Sequence, residues 1–145
     1  MVVGIFGESC VGKSTLAGLL RERLAAEVYT GKDFLRLAKD EASARELFLE
    51  KLQNAVTGGS LIYVISEREH LSLLPDGAVR VLVTANLETI KERFAARMHG
   101  NLPAPVAAML ERSHGCFDAA PHDFHIISGQ TDLEDVCAQI ADTEK

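Results

Sequence analysis

Five short apolar runs divide the chain at intervals. Four of them are strongly apolar: VVGIF (2–6), LIYVI (61–65), VRVLVT (79–84) and FHII (124–127). A fifth run, EVYT (27–30), is weaker. Most of the runs are continuous rather than alternating, which is typical of strands that are covered on both faces in a parallel sheet.

The segments between these runs have helical periodicity. They predict helices over 13–26, 33–57 (with a break), 86–98, 104–114 and 132–142. Asn86 is the predicted N-cap of the helix over 86–98, and Thr131 is the predicted N-cap of the helix over 132–142. Because strands and helices alternate, the sequence predicts an α/β fold with three layers, in which right-handed crossovers build a five-stranded parallel sheet flanked by helices.

Composition narrows the class of protein. A chain of 145 residues, 47% of them hydrophobic and 25% charged, predicts one globular domain over 1–145. The net charge of −6 argues against a nucleic-acid partner, and no apolar run approaches the roughly 18 residues of a membrane span. The three cysteines form no CxxC pair, which favours free thiols in a reducing cytoplasm. We therefore expect a cytoplasmic monomer or homodimer with neither membrane nor nucleic-acid partners.

The loop after the first apolar run carries the most specific motif. Its sequence GESCVGKS (7–14) fits the phosphate-loop pattern GxxxxGK[ST] at every position, between a predicted strand and a predicted helix. The glycines allow successive N–H groups to turn inward, and the helix adds its N-terminal dipole. Lys13 would reach the outer phosphates and the Ser14 hydroxyl would coordinate Mg²⁺. The predicted nucleotide-binding residues are Gly7, Glu8, Ser9, Cys10, Val11, Gly12, Lys13, Ser14 and Thr15.

Motifs and chain length exclude several classes of phosphate-loop protein. The sequence lacks the NKxD motif of GTPases, and ISGQTD (127–132) is only a partial match to the LSGGQ motif of transport ATPases. Helicase cores are longer than this chain. A small kinase remains, and along nearly its whole length the chain resembles the nucleoside monophosphate kinase-like family, which includes adenylate, cytidylate and shikimate kinases.

This resemblance implies an acceptor site. The segment YTGKDFLR (29–36) is similar to the adenylate kinase segment that lines the acceptor pocket, which implies substrate-binding roles for Asp33 and Arg36. Lys32 interrupts the family spacing, and Asp33 is also similar to the shikimate kinase acid that holds the acceptor hydroxyl. The segment VISER (64–68) resembles the strand end that carries a metal-binding acid and a phosphate-binding arginine, here Glu67 and Arg68.

The resemblance also implies a lid. The segment ETIKERFAARM (88–98) is similar to the helix that enters the lid, here a short segment around 98–117. Arg93 and Arg97, one helical turn apart beside an apolar stripe, suit a phosphoryl group in transfer. Arg112 would return from the far side of the lid, and Gly129 and Gln130 would contact the base through their backbone.

These observations predict an ATP-dependent small-molecule kinase with ATP and Mg²⁺ as cofactors. It would transfer the γ-phosphate to a nucleoside monophosphate or a similar small acceptor. The predicted catalytic residues are Lys13, Glu67, Arg93, Arg97 and Arg112. Two alternatives stay open: a non-catalytic or regulatory ATP-binding module, suggested by the short lid and the departures in the acceptor motifs, and a slow ATP hydrolase.

Overall fold

A computed structural model describes residues 1–143. Its sheet consists of β1 (Val2–Phe6), β2 (Glu27–Thr30), β3 (Leu61–Ile65), β4 (Val79–Thr84) and β5 (Phe124–Ile127), so all five predicted strands are confirmed. Every strand pairs in parallel, in the order β2-β3-β1-β4-β5. Every residue of β1 and β3 is buried, as expected for continuous apolar runs near the middle of a covered sheet.

The helices of the described residues are α1 (Lys13–Leu24), α2 (Glu41–Thr57), α3 (Leu87–Arg97), α4 (Ala104–Ser113) and α5 (Leu133–Thr143). The break predicted within 33–57 is confirmed. A 3₁₀ segment over Asp33–Leu37 precedes α2, which starts anew because the Asp40 side chain accepts a hydrogen bond from the Ser43 N–H. A second 3₁₀ segment, Arg68–Leu73, was not predicted. None of the described helices is both long and apolar enough to cross a bilayer.

The two predicted helix caps have different outcomes. The cap at Asn86 is confirmed, since its Oδ1 accepts a hydrogen bond from the Thr89 N–H at 2.8 Å. The cap at Thr131 is wrong, because Asp132 accepts the N–H of Glu134 at the start of α5. The Thr131 hydroxyl instead accepts the Ile127 N–H at 2.9 Å and closes the turn that follows β5.

The core has two halves, one on each face of the sheet. One half packs Val3 and Ile5 of β1 against apolar residues from α1, α3, α4 and α5. The other half packs Val2 and Phe6 against α2, the first 3₁₀ segment and the aromatic ring of Phe117. Alternate residues of one strand therefore serve opposite layers, which confirms the three-layer α/β architecture. In this architecture ligands bind at the carboxyl ends of the strands, where the strand order reverses beside β1.

Candidate functional site

The loop between β1 and α1 lies at the carboxyl ends of the strands. The backbone of β4 determines which residue can begin this loop. A Cβ atom on Gly7 would lie 2.2 Å from the carbonyl oxygen of Val83, so only glycine fits. At the other end of the loop, Gly12 has a φ of 104°, and Cys10 between them also has a positive φ, 66°. These left-handed residues curl the loop around the N-terminus of α1, which is the geometry of an anion-binding site.

Lys13 is buried under this loop. Its Nζ donates hydrogen bonds to the carbonyl oxygens of Gly7 at 2.6 Å and Glu8 at 2.7 Å. Burial lowers the pKa of Lys13 to about 8, against the opposing effects of Cys10 and Glu8. The lysine predicted to bind phosphate therefore stands at the inner side of the loop, with its charge disfavoured by desolvation.

A cleft of about 800 Å³ opens in front of the loop. This volume is in the range of small-molecule and cofactor sites. Its walls come from the loop, the carboxyl ends of β2 to β5 and one side of α3: residues 9–15, Thr30, Val64, Ser66, Val83, Arg93, Arg97, Ile126, Ile127, Ser128, Gly129, Thr131 and Leu133.

Arg93 joins the loop to the far wall of the cleft. One terminal nitrogen donates to the Cys10 carbonyl oxygen at 2.9 Å, and the other donates to the Ser128 hydroxyl at 2.9 Å. Because the C=O and N–H of a trans peptide point in opposite directions, this contact turns the Val11 N–H away from Arg93. The arginine predicted to act on the transferred phosphate therefore holds the loop backbone in place.

Arg97, one turn further along α3, also lines the cleft. It has no hydrogen bond or ion pair to another side chain within residues 1–143. Its positive charge is close enough to Lys13 to contribute to the lowered pKa of that lysine, although burial is the larger cause. Two cations thus converge on the cleft. Arg112 is exposed on α4 and is not among the residues that line it.

Glu8 connects the loop to the segment that follows α4. Its carboxylate is 9% exposed, and its two oxygens contact Nδ1 of His114 at 3.0 Å and the N–H of Gly115 at 3.2 Å. Sequence reasoning missed His114, which follows α4, and Ser66 and Ser128 in the cleft wall. Thr30, which also lines the cleft, belongs to the segment that resembles the acceptor segment of adenylate kinase. No local pattern marks the other three residues, because packing between distant segments brings them to the loop.

The residues predicted for the acceptor are placed beside the cleft rather than in its wall. Asp33 accepts the Thr30 N–H at 2.9 Å, and the Arg36 Nε donates to the Asp33 carbonyl oxygen at 3.2 Å. Glu67 and Arg68 are exposed just beyond Ser66. Of the two residues predicted to contact the base, Gly129 lines the cleft, while the Gln130 N–H donates to the Ile127 carbonyl. The roles of all these residues stay predictions.

Comparison with known proteins finds the same fold in solved kinase structures. No protein-family model matches the sequence, and no curated protein matches it. A sugar kinase from Janibacter is 18% identical with a TM-score of 0.63, covering 96% of this chain and 91% of that one. A shikimate kinase from Acinetobacter baumannii, in complex with shikimate, is 15% identical with a TM-score of 0.63, covering 99% and 92%.

A gluconokinase from Sinorhizobium meliloti is also similar, at 12% identity and a TM-score of 0.62, covering 99% of this chain and 94% of that one. At such low identities the likeness establishes the fold and leaves the activity open. The chain has the three-layer fold of the phosphate-loop small-molecule kinases, as the sequence resemblance implied.

Proposed function

We propose that this protein is an ATP-dependent kinase that transfers the γ-phosphate of ATP to a nucleoside monophosphate or a similar small acceptor. The observation that carries the proposal is the convergence of Lys13 and Arg97 on one cleft, with no ion pair to either within residues 1–143. Two cations without acidic partners beside a phosphate loop suit a polyanion whose charge shifts during the reaction.

The nucleotide would lie with its phosphates over residues 7–15. Lys13 would exchange the carbonyls of Gly7 and Glu8 for phosphate oxygens, and the backbone of Gly129 would approach the adenine. The Ser14 hydroxyl fits Mg²⁺, because it is exposed in the cleft wall and forms no hydrogen bond within the described chain. When bound, this ion would neutralise phosphate oxygens of ATP. Glu67 would act on it only through water.

Transfer would depend on positioning and charge, since phosphoryl transfer requires little covalent chemistry from the protein. Arg97 would bind the equatorial oxygens of the moving phosphoryl group through its planar guanidinium. Arg93, already bonded to Cys10 and Ser128, would keep the loop N–H groups directed at the phosphates. Arg112 would approach only if the segment 98–117 closes as a lid.

The acceptor would enter from the side of the cleft formed by β2 and β3. Thr30, Val64 and Ser66 line this side. The charged residues Asp33, Arg36 and Arg68 follow the same two strands, so they would meet the more polar part of the acceptor. A mixture of acid and arginines suits either a phosphate or a hydroxylated acid.

An acceptor screen tests the proposal. ADP formation from MgATP would be followed with each nucleoside monophosphate, gluconate, shikimate and several sugars, using Lys13→Ala as the control. We expect one acceptor class to raise ADP formation at least tenfold over ATP alone, and Lys13→Ala to abolish the increase. ADP formation that no acceptor changes would indicate a hydrolase. ATP binding without any turnover would indicate the regulatory module.

A further inference from the structure

Three side chains of the types that ligate metals cluster just beyond β3, outside the cleft wall. One ligand atom from each of Glu67, Glu69 and His70 lies within 4.8 Å of the other two. The unpredicted 3₁₀ segment Arg68–Leu73 explains the grouping, because three residues per turn place positions 67 and 70 on the same side. Glu67 and His70 are therefore held near one another by local backbone geometry, with the His70 N–H donating to the Glu67 carbonyl oxygen at 3.0 Å.

The environment of His70 distinguishes this cluster from an ordinary acidic surface. The imidazole is 4% exposed, and its buried Nδ1 has no hydrogen-bond partner within residues 1–143. Its one aromatic neighbour in this part of the chain is Phe34, edge-on at 6.5 Å between ring centroids. A buried polar nitrogen without a partner is unfavourable, and such atoms are uncommon in native proteins.

The two carboxylates also lack partners. Neither Glu67 nor Glu69 forms an ion pair within the described chain, although they stand next to one another. Adjacent like charges repel, so a bound cation would relieve this repulsion. The same ion would coordinate the imidazole that now has no hydrogen bond.

We propose that Glu67, Glu69 and His70 form a binding site for a divalent first-row transition metal ion, of the Mn²⁺ or Zn²⁺ class. Carboxylate oxygen and imidazole nitrogen are ligands of these ions, whereas Mg²⁺ prefers oxygen alone. Two ligand atoms bound at about 2.1 Å to one tetrahedral ion are roughly 3.4 Å apart, so the exposed glutamates would need to move by at most roughly 1.4 Å. Three protein ligands leave open coordination positions for water or another molecule.

The ion bound here would be distinct from the Mg²⁺ proposed for the nucleotide, since Glu67 would ligate it directly and would act on the Mg²⁺ only through water. Glu67 follows Ser66 directly, and Ser66 lines the side of the cleft formed by β2 and β3. A bound ion would thus add positive charge next to that side of the cleft. The proposal does not depend on kinase activity, because the three ligands need no nucleotide.

Mn²⁺ binding without nucleotide tests the proposal. Loss of the free Mn²⁺ signal in electron paramagnetic resonance would be measured in excess Mg²⁺, with Zn²⁺ as competitor. We expect one Mn²⁺ per chain, displaced by Zn²⁺. Glu69→Gln, which alters an exposed carboxylate, and His70→Asn should each weaken binding at least tenfold. Glu46→Gln, an exposed glutamate on α2, and Ser14→Ala should leave it unchanged.

Several outcomes would overturn the site. The site would be excluded if Mn²⁺ did not bind stoichiometrically or if Mg²⁺ alone displaced it. Equal Mn²⁺ affinity of the wild type and Glu69→Gln would also exclude it. If His70→Asn fails to fold, Glu67→Gln and Glu69→Gln decide the matter, because both residues are exposed. If Ser14→Ala abolished Mn²⁺ binding, the ion would belong to the nucleotide site instead.

Discussion

The carboxylate of Glu8 lies 3.0 Å from Nδ1 of His114, a residue 106 positions away in the sequence. The N–H of the following Gly115 donates to the second oxygen of the same carboxylate. An acid inside the phosphate loop therefore fastens the chain that leaves α4. Since the loop is the proposed phosphate site, any movement of the segment around His114 would change the position of the loop through Glu8.

Replacing Glu8 should separate its structural and electrostatic effects. Glu8→Ala leaves the half-buried Gly115 N–H and the more exposed His114 nitrogen without this partner, so we expect a loss of about 1 kcal/mol in the free energy of unfolding. Glu8→Gln keeps one acceptor and should cost less. It should also bind ATP at least as well as the wild type, because it removes a negative charge near the phosphates.

Urea unfolding and ATP titration of these variants provide the measurements. Glu22→Gln, an exposed glutamate on α1, is the matched control and should change neither quantity. If Glu8→Ala were as stable as Glu22→Gln, the contacts with His114 and Gly115 would have no energetic importance.

The lowered pKa of Lys13 predicts a pH-dependent affinity for ATP. Its pKa is about 8 without ligand, and bound phosphate would raise it, so binding must take up a proton above pH 8. The apparent affinity should then fall by up to about tenfold for each pH unit above 8, until the pKa of the complex is reached. Lys13→Arg stays charged and should show a flat profile over the same range.

Calorimetry at pH 9 in buffers of different ionisation enthalpy measures the proton uptake directly. The wild type should take up a large fraction of a proton on binding, and Lys13→Arg should take up none. Equal uptake by both proteins would mean that another group titrates.

Arg97 should matter for turnover more than for binding. If it acts on the phosphoryl group in transfer, Arg97→Ala should lower kcat at least about 100-fold with little change in ATP affinity. Arg97→Lys should restore part of the rate, since lysine keeps the charge and loses the planar fork. Arg21→Ala, on the exposed face of α1, is the control. A kcat unchanged in Arg97→Ala would remove this residue from the reaction.

Replacing Gly7 or Gly18 by alanine should have opposite effects on the stability of the protein. A methyl group on Gly7 would meet the backbone of β4 at Val83, so Gly7→Ala must shift a central strand and should cost more than about 2 kcal/mol. A methyl group on Gly18 in α1 meets nothing within 4 Å, and Gly18→Ala should stabilise the helix by about 0.5–1 kcal/mol. Thermal unfolding should therefore move in opposite directions for the two variants. Similar shifts would contradict the close approach to β4.

Much of the fold could be predicted because its signals are local. The apolar runs predicted all five strands, and Asn86 was recognised as a cap because its partner is only three residues away. The phosphate-loop motif is likewise one contiguous stretch. At 131–132 the local signal was ambiguous, since Thr and Asp are both good caps. Only the turn after β5, which uses the Thr131 hydroxyl, decided that Asp132 starts the helix.

The candidate site depends on which strands become neighbours, and the sequence by itself did not determine this. The order β2-β3-β1-β4-β5 brings Ser128 and the carbonyl of Cys10 to the two terminal nitrogens of Arg93, and it brings Lys13 and Arg97 to one cleft. Hydrophobic periodicity indicates which face of an element is buried but not which element covers it. The contacts of Glu8, Arg93 and Arg97 follow from packing between distant segments, and therefore only the tertiary structure decided them.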